Sequence, residues 1–308
     1  MKVLIADDSA ISRRLLEAAL GKWDYDVVAA SDGNEAWRIL QQPDAPRLAI
    51  LDWMMPGLSG PEVCRRVRQK KDDHYTYILL VTSRTLKEDL IEGMGAGADD
   101  YITKPFDQNE LKVRLGPGRR IVELHDALLQ AQAALREQAT RDALTGLWNR
   151  RSILEILERE LARTARGTAA VGIALGDLDH FKLINDTHGH LVGDAVLLEA
   201  ARRMYASSRT YDSVGRYGGE EFLLILPGCG NSDAECIAQR MRIEIETQAV
   251  RVDQHDFWIT CSFGTTSVSA GQHPTPEQVI HAADRALYKA KRKGRNCVVT
   301  VALEDFPP

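Results

Sequence analysis

The stretch SRTYDSVGRYGGEEF, residues 208–222, places two adjacent glycines directly before two adjacent glutamates, between apolar segments typical of strands. Adjacent glycines allow a tight turn and leave space for a large ligand close to the backbone. The turn would then present Glu220 and Glu221 next to that space. A hairpin with two solvated glutamates explains these residues equally well, so the surrounding segments must decide between the two interpretations.

The segments around this turn mix helices with antiparallel strands. From about residue 141 the pattern predicts a helix, a strand at 169–175 (AAVGIAL), two helices, the glycine hairpin, a helix, a strand at 258–268 (WITCSFGTTSV), a helix from about residue 275 and a final strand at 297–302 (CVVTVA). This order predicts an α+β domain with an open sheet.

The composition describes a globular protein with room for two domains. The chain has 308 residues, of which 44% are hydrophobic and 27% are charged, and its net charge is −5. A net charge of this sign does not favour binding to nucleic acid or to acidic membranes. An anionic ligand would therefore have to bind at a local cluster of basic residues. Five cysteines without a C-x-x-C pair predict reduced thiols and a cytoplasmic protein. No apolar run has the length of a signal peptide or a membrane span, so we expect no membrane contact.

The N-terminal part of the chain alternates short apolar runs with amphipathic segments. Because parallel strands need a crossover helix between them, five such units predict a five-stranded, doubly wound α/β domain with a parallel sheet, of the flavodoxin-like kind. The runs are KVLIA (2–6), YDVVAA (25–30), LAIL (48–51), YILLVT (77–82) and DDYIT (99–103).

Polar residues follow the ends of these strands. Asp7 and Asp8 follow the first, Asp52 ends the third, Thr82 ends the fourth and Lys104 follows the fifth. Carboxyl ends of parallel strands meet at one edge of a sheet, and carboxylates gathered there repel one another unless a hard cation such as Mg²⁺ lies between them. A lysine and a hydroxyl opposite could bind a phosphoryl group. Taken singly, each residue could be a helix cap or a strand end. All five lie at strand ends of the same sheet, however, which favours a binding site.

Residues 1–115 resemble the receiver domain of response regulators in the motifs ADDS, LDWMMPG, LLVTS and YITKPF. The resemblance implies that Asp52 accepts a phosphoryl group from a histidine kinase or a phosphotransfer protein. It also implies a Mg²⁺ site and a switch that responds to the phosphate. The Mg²⁺ ligands would be Asp7, Asp8, Asp52 and the carbonyl of Met54, and the switch residues would be Thr82, Tyr101 and Lys104.

Residues 116–140 are predicted to form a helical linker. Its apolar positions are spaced three and four apart, as in the seam of a short coiled coil, and they are Ile121, Leu124, Leu128, Ala131 and Leu135. Two such seams could join two chains in parallel; a helix packed on its own domain is the alternative. Pro117, between Gly116 and Gly118, predicts a kink or break at the start of the linker.

Carboxylates at neighbouring strand ends predict a second metal site. The strand at 169–175 leads to Asp177, and the glycine hairpin carries Glu220 and Glu221. Such groups can hold divalent metals that polarise a phosphate and activate a hydroxyl, as in nucleotidyl transfer.

The residues around these carboxylates suit a guanine nucleotide. The segment DLDHFKLINDTHGHLVGD follows the strand and opens a helix whose free amides, with Lys182, could meet phosphates. Lys291 and Arg295 supply the required basic cluster, although a solvated helix end is the alternative. Asn185 and Asp194 could bind a guanine edge, because adenine offers no ring N–H there; an N-cap or surface role is the competing interpretation.

Residues 141–308 are similar to the GGDEF family of diguanylate cyclases, whose fold is palm-like. Five motifs carry the similarity in the family's order: DALTGLWNRR, DLDHFKLINDTHGHLVGD, RYGGEEF, CSFG and ADRALYKAKRKGRN. The resemblance implies Mg²⁺ or Mn²⁺ bound by Asp177, the carbonyl of Leu178 and Glu220, with Glu221 beside the metals. It also implies that Lys182 is a catalytic residue. The side chains expected to contact GTP are Lys182, Asn185, His190, Asp194, Lys291 and Arg295.

The implied reaction joins two GTP molecules into cyclic di-GMP and releases two pyrophosphates. Each domain holds one GTP, so a homodimer is needed, and phosphorylation of Asp52 would favour it. The resemblance further implies an inhibitory site for the product at Arg209, Asp212 and Arg240. A surface ion pair is the alternative interpretation of Arg209 and Asp212.

Three rival functions differ from this one in their sequence requirements. A binding module that only senses the nucleotide would have lost the acid at 177 or 220, and both acids are present. A cyclase for adenine-containing products would differ at Asp194. A regulator acting through DNA would need a helix-turn-helix or a basic stripe, and the sequence shows neither.

Overall fold

The protein is described from a computed structural model, which divides into two compact units, Met1–Ala134 and Leu135–Pro308. The structure describes residues 1–70, 74–83, 87–167 and 169–303, without the side chains of residues 87–90. Among the described residues, no helix combines the length and the apolar character needed to cross a bilayer.

The first unit is built on a five-stranded parallel sheet, as the sequence predicts. The strand order is β2-β1-β3-β4-β5, and all neighbours are parallel. The strands are β1 (Lys2–Ala6), β2 (Asp26–Ala30), β3 (Leu48–Asp52), β4 (Tyr77–Thr82) and β5 (Asp100–Thr103). The helices are α1 (Ala10–Gly21), α2 (Gly33–Leu40), α3 (Gly60–Gln69), α4 (Lys87–Gly95) and α5 (Gln108–Thr140).

The sheet is covered on both faces, which makes the unit doubly wound. Successive residues of a strand point to opposite faces. Leu4 of β1 accordingly packs in one core with α2 and α3, whereas Ile5 packs in another with α1 and α5. Both faces of the central strands are therefore apolar, and the polar groups of the unit collect at the strand ends.

Helix α5 runs without a break from the first unit into the second, so the predicted break at Pro117 is wrong, while the alternative of a kink there stays a prediction. Pro117 lies on the exposed side of the helix, where the helix tolerates the loss of one backbone hydrogen bond. Gly118 lies on the buried side, and a Cβ there would collide with the ring of Tyr77. The glycine is thus explained by close packing, and the Tyr77 hydroxyl donates a hydrogen bond to the Arg114 carbonyl at 3.3 Å.

The second unit has a five-stranded, mainly antiparallel sheet in the order β12-β11-β6-β8-β7, which confirms the predicted α+β fold. The strands of this sheet are β6 (Val171–Leu178), β7 (Ser213–Gly218), β8 (Glu221–Pro227), β11 (Cys261–Val268) and β12 (Val298–Thr300). The helices are α6 (Arg150–Ala165), α7 (Phe181–His188), α8 (His190–Ala206), α9 (Asn231–Glu246) and α10 (Pro276–Arg292).

The second unit contains a short hairpin that the sequence did not predict. Strands β9 (Val250–Val252) and β10 (His255–Phe257) form a separate two-stranded hairpin. Each strand has only three residues, too few for the two-residue alternation to stand out. The ring of Phe257 packs edge-on against His188 at 4.9 Å between ring centroids, which places the hairpin beside the end of α7.

Candidate active site and phosphoacceptor site

The carboxyl edge of the parallel sheet gathers three acids. The ligand atoms of Asp7, Asp8 and Asp52 all lie within 4.8 Å of one another, and among the described residues this is the one such cluster. Asp7 and Asp52 are buried, whereas Asp8 is exposed. Converging carboxylate oxygens open to solvent on one side are the ligand set that Mg²⁺ prefers, so the residues fit this ion.

Lys104 bridges the two buried acids. Its Nζ lies 2.8 Å from Asp7 Oδ2 and 2.8 Å from Asp52 Oδ2. Burial lowers the pKa of Lys104, but its hydrogen bonds to the two acids outweigh burial and raise the pKa overall. The Lys104 backbone N–H also donates to the carbonyl of Thr82 at 2.7 Å, so the ends of β4 and β5 are tied together beside the acids.

Asp52 is held in an environment that disfavours its charge. Burial raises its pKa, while the hydrogen bond from Lys104 and one from the Met54 backbone N–H lower it, and the net direction is upward. Thr82 is buried at the adjacent strand end, and Tyr101 is half-buried. The guanidinium of Arg114 lies 5.9 Å from the Tyr101 ring centroid, so this aromatic side chain packs against the start of α5.

In the second unit, the strand pairing brings the predicted acids together. Asp177 of β6 is the register partner of Glu221 of β8. The next residue, Leu178, donates its backbone N–H to the Glu220 carbonyl at 3.4 Å. Glu220 lies in the turn between β7 and β8, close enough to contribute to the raised pKa of Asp177. Two carboxylates and a strand-end carbonyl fit a divalent metal.

A lysine contacts one acid of this pair. Lys291 Nζ of α10 lies 2.7 Å from Asp177 Oδ2. Burial raises the pKa of Asp177 and the contact with Lys291 only partly offsets it. Burial also raises the pKa of Glu221, and the neighbouring Asp177 adds to the effect. Both carboxylates therefore bind protons more readily than free carboxylates. A second cation at this position would lower their pKa values again.

A cavity of about 740 Å³ adjoins these acids on the side of α10. Its lining includes Glu221, Tyr288 and Lys291 together with a series of further cationic side chains: Arg285, Lys289, Arg292 and Lys293. Of the two residues in the predicted basic cluster, Lys291 thus faces the same space as Glu221 of the acidic hairpin, whereas Arg295 is not part of this lining.

The residues predicted to bind the nucleotide lie on α7, α8 and the loop after α10. Lys182 is exposed in the first turn of α7, and His190 and Asp194 are exposed on α8. Asn185 is half-buried against Gly193, where a Cβ would collide with its Oδ1. These side chains lie on adjacent helices. No contact between them is observed in the described part of the chain.

The predicted inhibitory residues lie around a second groove, of about 500 Å³, whose lining includes Arg209 and Arg240. Asp212 Oδ2 accepts the backbone N–H of Arg209 at 2.8 Å, so the two predicted residues meet through a turn rather than a side-chain ion pair. Arg240 donates to the Ser207 carbonyl at 2.7 Å. The guanidinium of Arg209 lies near Tyr211, with 3.2 Å between Nη1 and the hydroxyl.

Comparison with known proteins identifies both units. Residues 139–297 match the family model of the diguanylate cyclase GGDEF domain. The chain belongs to the GGDEF diguanylate cyclases. Residues 3–116 match the response regulator receiver domain, so this GGDEF protein is also a response regulator.

Relatives share either this whole arrangement or a part of it that includes the GGDEF domain. The response regulator PleD of Caulobacter vibrioides is 27% identical over an alignment covering 97% of this chain and 98% of PleD. The solved coiled coil and GGDEF domain of DgcB from Caulobacter crescentus, in complex with c-di-GMP, is 31% identical with a TM-score of 0.55, covering 62% of this chain and 99% of that one. Diguanylate cyclase SiaD of Pseudomonas aeruginosa, in complex with its activator SiaC, is 41% identical with a TM-score of 0.52, covering 63% and 74%.

The GGDEF domain also contains contacts that the sequence did not reveal. Arg216 Nε donates to the carbonyl of Gly219 at 2.8 Å, and its Nη1 lies 3.2 Å from Asp142 Oδ1. These residues fix the glycine turn to the segment that follows α5. Both belong to motifs that the sequence analysis singled out, but the pairing depends on tertiary structure. Asp179, buried directly after β6, is a second group of this kind.

Proposed function

We propose that this chain condenses two molecules of GTP into cyclic di-GMP and two pyrophosphates, under the control of phosphorylation at Asp52. The observation that carries the proposal is the pairing of Asp177 with Glu221, beside Glu220 and in contact with Lys291. This places acids suited to a metal and a base suited to phosphate at one strand end of a GGDEF domain.

In the proposed reaction, Asp177, the Leu178 carbonyl and Glu220 would hold Mg²⁺ or Mn²⁺. An ion bound by these groups would supply positive charge that polarises the α-phosphate and stabilises its developing negative charge. Lys182, Lys291 and Arg295 bind the triphosphate through charge-assisted hydrogen bonds. Three further residues orient the base, and they are Asn185, His190 and Asp194. Glu221, the register partner of Asp177, lies beside this metal site and completes the set of catalytic acids.

Two copies of the chain are needed, because the 3′-hydroxyl of one GTP must approach the α-phosphate of another in line. The seam of α5 is available for this association. Its larger side chains are exposed in the single chain, to 43% at Ile121, 71% at Leu124, 54% at Leu128 and 64% at Leu135. We propose that the seams of two chains pack as a parallel coiled coil in the segment 116–140.

The proposed control begins with transfer of a phosphoryl group from a histidine kinase or phosphotransfer protein to a carboxylate oxygen of Asp52. Mg²⁺ bound by Asp7, Asp8, Asp52 and the Met54 carbonyl would neutralise the incoming charge. Thr82 and Lys104 would then bind the phosphoryl oxygens, and Tyr101 would reorient. Both GTP and such donors are cytoplasmic, and all five cysteines are free thiols, so we place the protein in the cytoplasm, without nucleic-acid or membrane partners.

The test is to incubate the purified chain with GTP and Mg²⁺, with and without a small acyl phosphate, and to identify the product. We expect cyclic di-GMP, formed faster with the acyl phosphate. Asp177→Asn should lower the rate by at least about 100-fold, while Asp52→Asn keeps basal activity and loses the response. The control Asp256→Asn, in the exposed β10, should behave as wild type. A different nucleotide product, or a full response from Asp52→Asn, would contradict the proposal.

We further propose that the groove at Arg209 and Arg240 binds the product and slows its synthesis. A guanidinium can bind phosphate or a guanine edge through two hydrogen bonds, and Asp212 can accept from guanine N–H groups. Arg209→Ala should weaken inhibition by added cyclic di-GMP without lowering the initial rate. Inhibition curves of wild type and variant provide the measurement, and unchanged inhibition would exclude this groove.

A further inference from the structure

Asp179 is a buried acid that the proposed reaction does not use. It is 5% exposed and follows β6, two residues after Asp177. Its carboxylate accepts three hydrogen bonds: from Ser262 Oγ at 2.7 Å, from Thr260 Oγ1 at 2.7 Å and from the backbone N–H of Asn296 at 3.0 Å. None of these donors is a cation, so the carboxylate is stabilised by fixed neutral donors that define its position.

The Asn296 N–H belongs to a loop with an unusual backbone. Gly294, Arg295 and Asn296 have φ values of +117°, +65° and +44° in succession. Left-handed conformations are sparsely populated by residues with a Cβ, and they persist where surrounding contacts hold them. Arg295 is one of the residues proposed to bind the triphosphate, so its position depends on whatever holds this loop.

The loop is held from a second side by α9. Asn296 Oδ1 accepts from Arg242 Nη1 at 2.7 Å, and its Nδ2 donates to Glu246 Oε1 at 2.9 Å. Arg242 and Glu246 are themselves paired at 2.6 Å. Asn296 therefore has its backbone fixed by the end of β6 and its side chain fixed by α9.

We infer that Asp179 is a positioning residue for triphosphate binding, because it holds the Arg295 loop through the Asn296 N–H. The same strand end thus carries Asp177, which contacts Lys291, and Asp179, which fixes Arg295. This arrangement sets the distance between the acidic and the basic side of the GTP site. The inference rests on the proposed function, since it requires that Arg295 meets the triphosphate.

The test compares the binding of 3′-deoxy-GTP, which lacks the attacking hydroxyl, with that of GMP, using calorimetry on the full chain. Asn296→Gly relieves the backbone strain and removes both side-chain contacts with α9, whereas Arg242→Met removes only the bond to Asn296 Oδ1 and leaves the bond from Asn296 Nδ2 to Glu246. Each should weaken 3′-deoxy-GTP binding by about tenfold, the effect of one charge-assisted contact, and leave GMP binding unchanged. Arg251→Met, which removes an exposed ion pair with Asp256 in the β9–β10 hairpin, is the matched control.

Two variants of Asp179 itself complete the test. Asp179→Asn retains an oxygen that can accept the Asn296 N–H, so it should keep near-normal triphosphate binding. Asp179→Ala removes the acceptor and should lower the triphosphate preference, if it folds. Wild-type preference for 3′-deoxy-GTP in a folded Asp179→Ala, or in both Asn296→Gly and Arg242→Met, would overturn the inference, and so would an equal loss for both ligands. A wild-type chain that bound no 3′-deoxy-GTP would instead overturn the proposed function, and this inference with it.

Discussion

At the scale of single residues, both sites share one arrangement, a lysine in contact with a buried aspartate at the end of a strand. Lys104 bridges Asp7 and Asp52, and Lys291 contacts Asp177. The sequence predicted these lysines as phosphate ligands, because their positions match family motifs. It could not reveal the lysine–carboxylate contacts, which depend on the distance between strand ends in the folded sheet. A basic group that pairs with carboxylates before a phosphate arrives lowers the repulsion within an acidic pocket.

Glu199 provides a residue-scale test of pH dependence. Hydrogen bonds from Arg202 and then Arg203 lower its pKa to about 2 from an ordinary value of 4.5. A lowered folded-state pKa gives stability that is present above the unfolded value and lost as the pH falls toward the folded value. Glu199→Gln should therefore lower the free energy of unfolding at pH 7 by about 1–3 kcal/mol, and by less at pH 3.

Urea unfolding at the two pH values measures this difference. The matched control is Glu155→Gln, which removes an exposed pair with Arg151 and should cost less than about 0.5 kcal/mol. A loss for Glu199→Gln that is as large at pH 3 as at pH 7 would show that charge is not its cause.

At the scale of secondary structure, sequence reasoning succeeded where a pattern was long and failed where packing decided. The five parallel strands were predicted nearly to the residue, because each is a short apolar run between amphipathic segments; those of β1, β3 and β4 are buried on both faces. The break at Pro117 was wrong, because the continuous α5 carries the proline on its exposed side. Asp179 went unrecognised as part of the site, because its partner Asn296 lies 117 residues away in the chain.

Two glycines of α5 allow a matched test of this difference. Apart from its chain neighbours, nothing lies within 4 Å of a Cβ at Gly116, whereas a Cβ at Gly118 would meet the buried ring of Tyr77. Gly116→Ala should change the stability of the receiver domain by less than about 1 kcal/mol, because the gain in helix propensity is opposed by the steric conflict of a Cβ with the ring of Pro117. Gly118→Ala should destabilise it by about 1–3 kcal/mol through overpacking. Thermal unfolding measures both, and equal losses for the two variants would refute the role given to Gly118.

At the scale of the whole molecule, the sequence predicted the family of each domain. It did so because a receiver and a GGDEF domain each carry several motifs in a fixed order. The association of two chains, by contrast, depends on contacts between exposed surfaces, and a single chain does not contain those contacts. The apolar seam on α5 is the feature from which we expect it.

Leu128→Asp tests that association. A charge in the seam should separate the two chains, because an aspartate cannot be buried there without a partner. We expect a smaller species in sedimentation and a rate of cyclic di-GMP synthesis that falls more steeply on dilution. Gln130→Asp, on the same exposed helix but outside the seam, is the control. Equal sedimentation and equal dilution curves for both variants would place the dimer contact elsewhere.

Because α5 is continuous, a rotation about its axis at one end is carried to the other end. Its 33 residues extend over about 50 Å at 1.5 Å per residue, and each residue added turns everything after it by about 100° about the axis. Single insertions or deletions between residues 123 and 134 would therefore change the angular phase of the seam. Seven inserted residues complete nearly two turns and restore it. Natural variation in the length of this segment should accordingly occur in steps of about seven residues.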